Sequence, residues 1–128
     1  MLKKDIKYLD YNDNERSESF YFNLNKAEVM EMELSTSGGL TNMIQKIVET
    51  QDSTELIKIF KDLILKSYGE KSADGKRFMK SEASAIGFSQ TEAYSDLFMA
   101  LATDANLASE FVNGIVPQQP KQAMSVPN

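Results

Sequence analysis

The sequence predicts a mostly helical α+β domain: an N-terminal β-hairpin packed on a small bundle of about five helices, followed by a flexible C-terminal tail. Three observations carry that expectation. Residues 4–24 alternate apolar and polar side chains around Asn12-Asp13-Asn14. From 25 to 114, amphipathic stretches open on cap residues and end near glycines. From Pro117 the chain turns polar and proline-bearing. With 128 residues, of which 26% are charged and 41% apolar, the chain suits one compact domain, 1–116. Residues 117–128 hold too little to bury and are expected to be disordered.

In the hairpin, Ile6 and Tyr8 share one side, and Glu18, Phe20, Phe22 and Leu24 form the return run. A lone hairpin is marginal in water, so its aromatic face of Tyr8, Phe20 and Phe22 must pack on the helices. Leu9, Tyr11 and Tyr21 fall on the other face.

Asn25 is placed to cap the first helix, with Glu28 at the capping-box position and Leu24 able to staple onto Val29. That helix is expected to run to about Leu34 and to stop before Gly38-Gly39. Leu40, Met43, Ile44, Ile47 and Val48 then make a narrow stripe at helical spacing. Asp52 and Glu55 open the longest helix, whose broad arc of Leu56, Ile57, Ile59, Phe60, Leu63, Ile64, Leu65 and Tyr68 ends at Gly69. This is the expected central core helix. Residues 70–80 have no helical period and contain Asp74-Gly75, which reads as a loop or a small second hairpin. A short helix from Ser81 or Glu82 to Gly87 follows. Another is opened by Ser89 and Glu92 and carries Tyr94, Leu97, Phe98 and Leu101. Asp104 caps the last, with Leu107, Phe111 and Val112, closed by Gly114.

The chain has no Cys, His or Trp, which removes disulfides, thiolate nucleophiles, imidazole bases and the usual soft metal ligands. Asp10, Asn12 and Asn14 match the opening of a calcium loop, but Glu15 stands where that loop needs Gly and Tyr21 where it needs Glu. Glu28, Glu31 and Glu33 are acids in a helix's first turns, where they complement its dipole. No catalytic, cofactor or metal residues are assigned, and a non-enzymatic role is expected. Net charge is −5; residues 82–116 hold five acids and no base, while 70–81 hold four bases against two acids. Nucleic-acid binding is not expected from such a balance, nor is membrane insertion, since no apolar run is long enough to span a bilayer. Met1-Leu2-Lys3-Lys4-Asp5 lacks an apolar signal core, so the expected location is the cytoplasm.

Surface for protein partners remains. In the first helix Ala27, Met30 and Leu34 lie on one stripe, with Val29 and Met32 roughly opposite. A helix with two apolar sides needs two neighbours, and one of them can be a partner. Val29 and Met32 are the candidate docking stripe, joined by Met43, by Met99 off the Tyr94–Leu97–Leu101 stripe, and by Phe78-Met79 in the basic loop. Flexible thioethers suit surfaces that accept variable apolar helices.

Several segments occur together in one order: Phe20-Tyr21-Phe22-Asn23-Leu24 into Ala27-Glu28-Val29-Met30-Glu31-Met32-Glu33, then Gly38-Gly39-Leu40. Ile57-Lys58-Ile59-Phe60-Lys61-Asp62-Leu63-Ile64-Leu65 follows, then Tyr68-Gly69-Glu70-Lys71-Ser72 with Asp74-Gly75-Lys76-Arg77-Phe78, and Phe88-Ser89-Gln90-Thr91-Glu92-Ala93-Tyr94. Over about residues 4–117 this series resembles the tail assembly chaperones of long-tailed, siphovirus-type bacteriophages of Gram-positive bacteria. The resemblance implies binding and solubilising the tape measure protein in the host cytoplasm, helping tail tube proteins polymerise around it, and absence from the mature virion. It also implies a frameshifted longer form of the chain as a partner, and leaves self-association into a homo-oligomer open. It assigns no site residues. The alternative is a structural tail component, a connector or tube-associated protein, retained in the virion.

Overall fold

The structure, a computed structural model, describes residues 1–35, 42, 45 and 53–117. Strands β1 (Leu2–Leu9) and β2 (Glu15–Phe22) pair antiparallel from Leu2 opposite Phe22 to Leu9 opposite Glu15. The hairpin thus begins and ends two residues earlier than 4–24. Its turn is built by Asp10, whose Oδ1 accepts the N–H groups of Asn12 and Asn14 at 2.8 and 3.0 Å. Oδ2 accepts Arg16 Nε–H at 2.6 Å, and Asp13 takes a left-handed φ of 62°. Both carboxylate oxygens that a calcium loop would use are spent on holding this turn.

Helix α1 (Lys26–Ser35) opens with the reciprocal capping box that the sequence predicts: Asn25 N–H donates to Glu28 Oε1 and Glu28 N–H to Asn25 Oδ1, each at 2.8 Å. The stripe from Leu40 to Val48, including Met43, the glycine pair 38–39 and Asp52 lie outside the described residues.

Helix α2 (Ser53–Ser67) gives the core Ile59, Phe60, Leu63 and Ile64. It ends earlier than expected. Tyr68 and Gly69 are not its last turn; they begin strand β3 (Tyr68–Lys71), which pairs with β2 through Tyr21–Gly69 and Phe22–Tyr68. The physical reason is steric. A Cβ on Gly69 would sit 2.7 Å from the Phe78 ring and 2.8 Å from the Met79 carbonyl oxygen, so the glycine serves close strand approach rather than a left-handed cap. Buried Ser67 closes the helix by donating its hydroxyl to the Leu63 carbonyl at 2.6 Å.

Residues 68–79 form the second hairpin, β3 with β4 (Phe78–Met79), turned by Gly75 at φ 74° and by Asp74 accepting from Ser72 Oγ and Lys76 N–H. Of the two readings for residues 70–80, the second hairpin is the one found, and among the described residues it joins the first in one four-stranded antiparallel sheet in the order β1-β2-β3-β4.

Three helices follow among the described residues: α3 (Glu82–Ser89), α4 (Glu92–Thr103) and α5 (Ala105–Ile115). Ser81 caps α3 and Asp104 caps α5 as expected, but Thr91 rather than Ser89 caps α4, accepting from Tyr94 N–H at 3.1 Å. Ser89 is unavailable because α3 runs past Gly87 to carry Phe88 into the core. Likewise α5 continues through Gly114 to bury Ile115. A Cβ on Gly114 would lie 2.9 Å from Leu2 Cδ1, so the last helix packs on the first strand there. The five helices given ranges among the described residues, set against an N-terminal hairpin sheet, agree with the α+β class read from the sequence.

The core centres on Phe88. Tyr68 stacks on it at 4.3 Å and 5°, while Phe20, Phe22 and Tyr94 surround it at 5.2, 5.8 and 5.7 Å. Phe22 in turn meets Phe111 at 5.3 Å, joining sheet and last helix.

Candidate functional site

Helix α1 is fixed at its first turn from two directions. The capping box sets its start, and Lys80 Nζ donates to both Glu28 oxygens at 2.8 Å and to the Asn23 carbonyl at 2.6 Å. Entering from the buried Leu24, the helix turns Val29 and Met32 inward. Val29 packs against the core and Met32 is 5% exposed, so the stripe expected to face a partner is the internal one. Its opposite side is the open one: Met30 is 60% and Leu34 81% exposed, four residues apart on one face. The sequence offered apolar residues on both sides of this short helix and hence no preferred inner face. The deciding signal was the Leu24–Val29 staple spacing, which assigns Val29 to the inside.

The remaining candidates are spread over the sheet and α4. Phe78 and Met79 lie together on β4. The Phe78 ring is half-buried across Gly69, while Met79 is 37% exposed with Arg77 Nη2 3.7 Å from its sulfur. Met99 is 55% exposed on α4, as its offset from the core stripe suggested. Ile57 on α2 and Ile86 on α3 are exposed as well, and the sequence reading had missed both as surface.

Electrostatically two adjacent stretches of the chain differ. Residues 82–116 present acids alone, whereas the basic cluster of 70–81 is partly consumed internally: Lys80 pairs with Glu28, and Lys71 lies 4.7 Å over the Tyr21 ring. The shifted titrations are structural. Arg16, then the N–H groups of Asn14 and Asn12, hold the Asp10 carboxyl below its usual range. Hydrogen bonds to Glu18 and Glu92 push the Tyr8 and Tyr11 hydroxyls up, and burial does the same for Tyr68 and Tyr94. Among the described residues, no group of three or more acids could hold a metal ion, and no helix is long and apolar enough to cross a membrane. What the surface offers is apolar contact area on an acidic domain.

No curated protein and no solved structure matches the chain. A family model described as phage tail assembly chaperone matches residues 1–126, nearly the whole length. The chain belongs to the phage tail assembly chaperone family.

Proposed function

We propose that this chaperone coats apolar helical segments of the tape measure protein of a siphovirus-type phage of Gram-positive bacteria, keeps that client soluble in the host cytoplasm and helps bring tail tube subunits to it. The role is non-enzymatic, and the protein leaves before the virion is complete. The observation that carries the reading is the outward pair Met30 and Leu34 on α1, backed by an inward face that is already satisfied by the core. A client helix lays its own stripe against such i, i+4 anchors, and thioether flexibility tolerates variation along the client. A net charge of −5 keeps the coated complex dispersed, and many copies on one long client add avidity.

Co-expression with the tape measure protein of the same phage genome tests this. The wild-type chain should keep the client in the soluble fraction and co-elute with it on size exclusion. Met30→Asp with Leu34→Asp should abolish co-elution while shifting stability by no more than about 0.5 kcal/mol, since both side chains face water. A client that stays insoluble beside the wild-type chain refutes client coating. Mass spectrometry of purified virions should lack the chain; finding it there supports the structural tail component instead.

A further inference from the structure

Strand β1 is an end strand. β2 pairs with one side of it along all eight residues, and no strand among the described residues pairs with the other. A free edge of that length is a template for another chain unless something discourages pairing. Here the strand carries Lys3, Lys4 and Lys7 against the single acid Asp5, a cationic segment in a chain of net charge −5. Asp5 is already engaged, accepting the Ser19 hydroxyl. Arg16 and Lys80 have carboxylate partners, whereas none of the three β1 lysines has one within 4.0 Å among the described residues. The register places Lys3 and Lys7 on the outer face, across from Tyr21 and Ser17, and Lys4 on the inner face across from Phe20.

These lysines discriminate between occupants. A second copy of β1 pairing antiparallel with Lys3 opposite Lys7 would set lysine against lysine and Asp5 against Asp5, which is unfavourable. An extended segment with carboxylates four residues apart would set them beside Lys3 and Lys7 and leave a neutral residue beside Asp5. We propose that the free edge of β1 accepts an extended acidic segment of a partner protein as a fifth strand. Backbone hydrogen bonds supply the affinity and the lysines supply the selectivity. This surface is separate from the Met30–Leu34 face and stands whether or not that face binds a client.

The test uses the full chain, ¹⁵N-labelled, and three eight-residue capped peptides: a Glu-Thr peptide with Glu at every fourth position and Thr elsewhere, a Lys-Thr peptide with Lys in place of Glu, and the Glu-Thr peptide methylated at alternate peptide nitrogens. The Glu-Thr peptide should shift β1 amides and slow exchange of every second one. Lys3→Glu with Lys7→Glu should weaken it at least tenfold while leaving the spectrum folded. The Lys-Thr and N-methylated peptides should not bind. Equal binding of the N-methylated peptide overturns strand addition, and equal binding of Lys-Thr overturns the charge selection. Displacement of the Glu-Thr peptide by a single-stranded oligonucleotide assigns the patch to nucleic acid instead. Protection of β1 that rises with protein concentration alone assigns the edge to a second copy.

Discussion

A methyl group added at Gly69 meets the Phe78 ring, which can tilt, and the Met79 carbonyl, which is fixed in the β3–β4 pairing and cannot. Gly69→Ala should therefore cost roughly 1–3 kcal/mol in urea unfolding, the range for overpacking a well-filled site. Gly87 presents the reverse case, mid-helix in α3 with nothing within 4 Å of an added Cβ. Gly87→Ala should stabilise by about 0.5–1 kcal/mol in the same assay. At the hairpin tip, the Asp10 carboxyl titrates below its unfolded value because of Arg16 and two backbone N–H groups. Its contribution is complete above the ordinary carboxylate range and is withdrawn as pH falls through and below about 4. Thermal melts from pH 6 down to 2 should show a shallower acid loss for Asp10→Asn than for the wild type, together with a lower starting stability.

At the scale of elements, α1 depends on its first turn. Asn25→Ala removes one half of the capping box and should cost about 1 kcal/mol. Glu28→Ala should cost more, since it also strands Lys80, whose ammonium donates to both Glu28 oxygens. Denaturant midpoints of the two variants check the order. Cap spacing made this start legible in the sequence, and likewise Ser81, Asp104 and the Asn-Asp hairpin turn, because each acts through near neighbours. Long-range demands were not legible. Gly69 and Gly114 read as helix stops, yet the partners that require glycine there, Phe78 with Met79 and Leu2, are set by strand pairing and by the return of α5 to β1. Ser89 lost its capping role to Thr91 because the core claimed Phe88 one residue earlier. The candidate partner surface was half legible. Met79 and Met99 are exposed, but the two sides of α1 were interchanged, since nothing within Lys26–Ser35 favours either one.

Across the whole molecule, Phe88 is the common neighbour of β2, β3 and α4 through Phe20, Phe22, Tyr68 and Tyr94. Phe88→Ala should cost about 3–5 kcal/mol, a large share of the stability of a domain this size. Tyrosine near-ultraviolet dichroism and helical far-ultraviolet dichroism should be lost together on heating it, at a much lower temperature than in the wild type. The ends of the fold are likewise tied: the Leu24 N–H donates to the Ile115 carbonyl at 2.7 Å, and Gly114 lies beneath Leu2. A ribosome releases the hairpin first and α5 last, so this latch closes only after nearly all of the described chain has cleared the exit tunnel. Until then Phe22 waits without Phe111, and the aromatic face of the nascent hairpin is open to the host's own folding factors. A member of a chaperone family thus passes its own synthesis as an unfinished client.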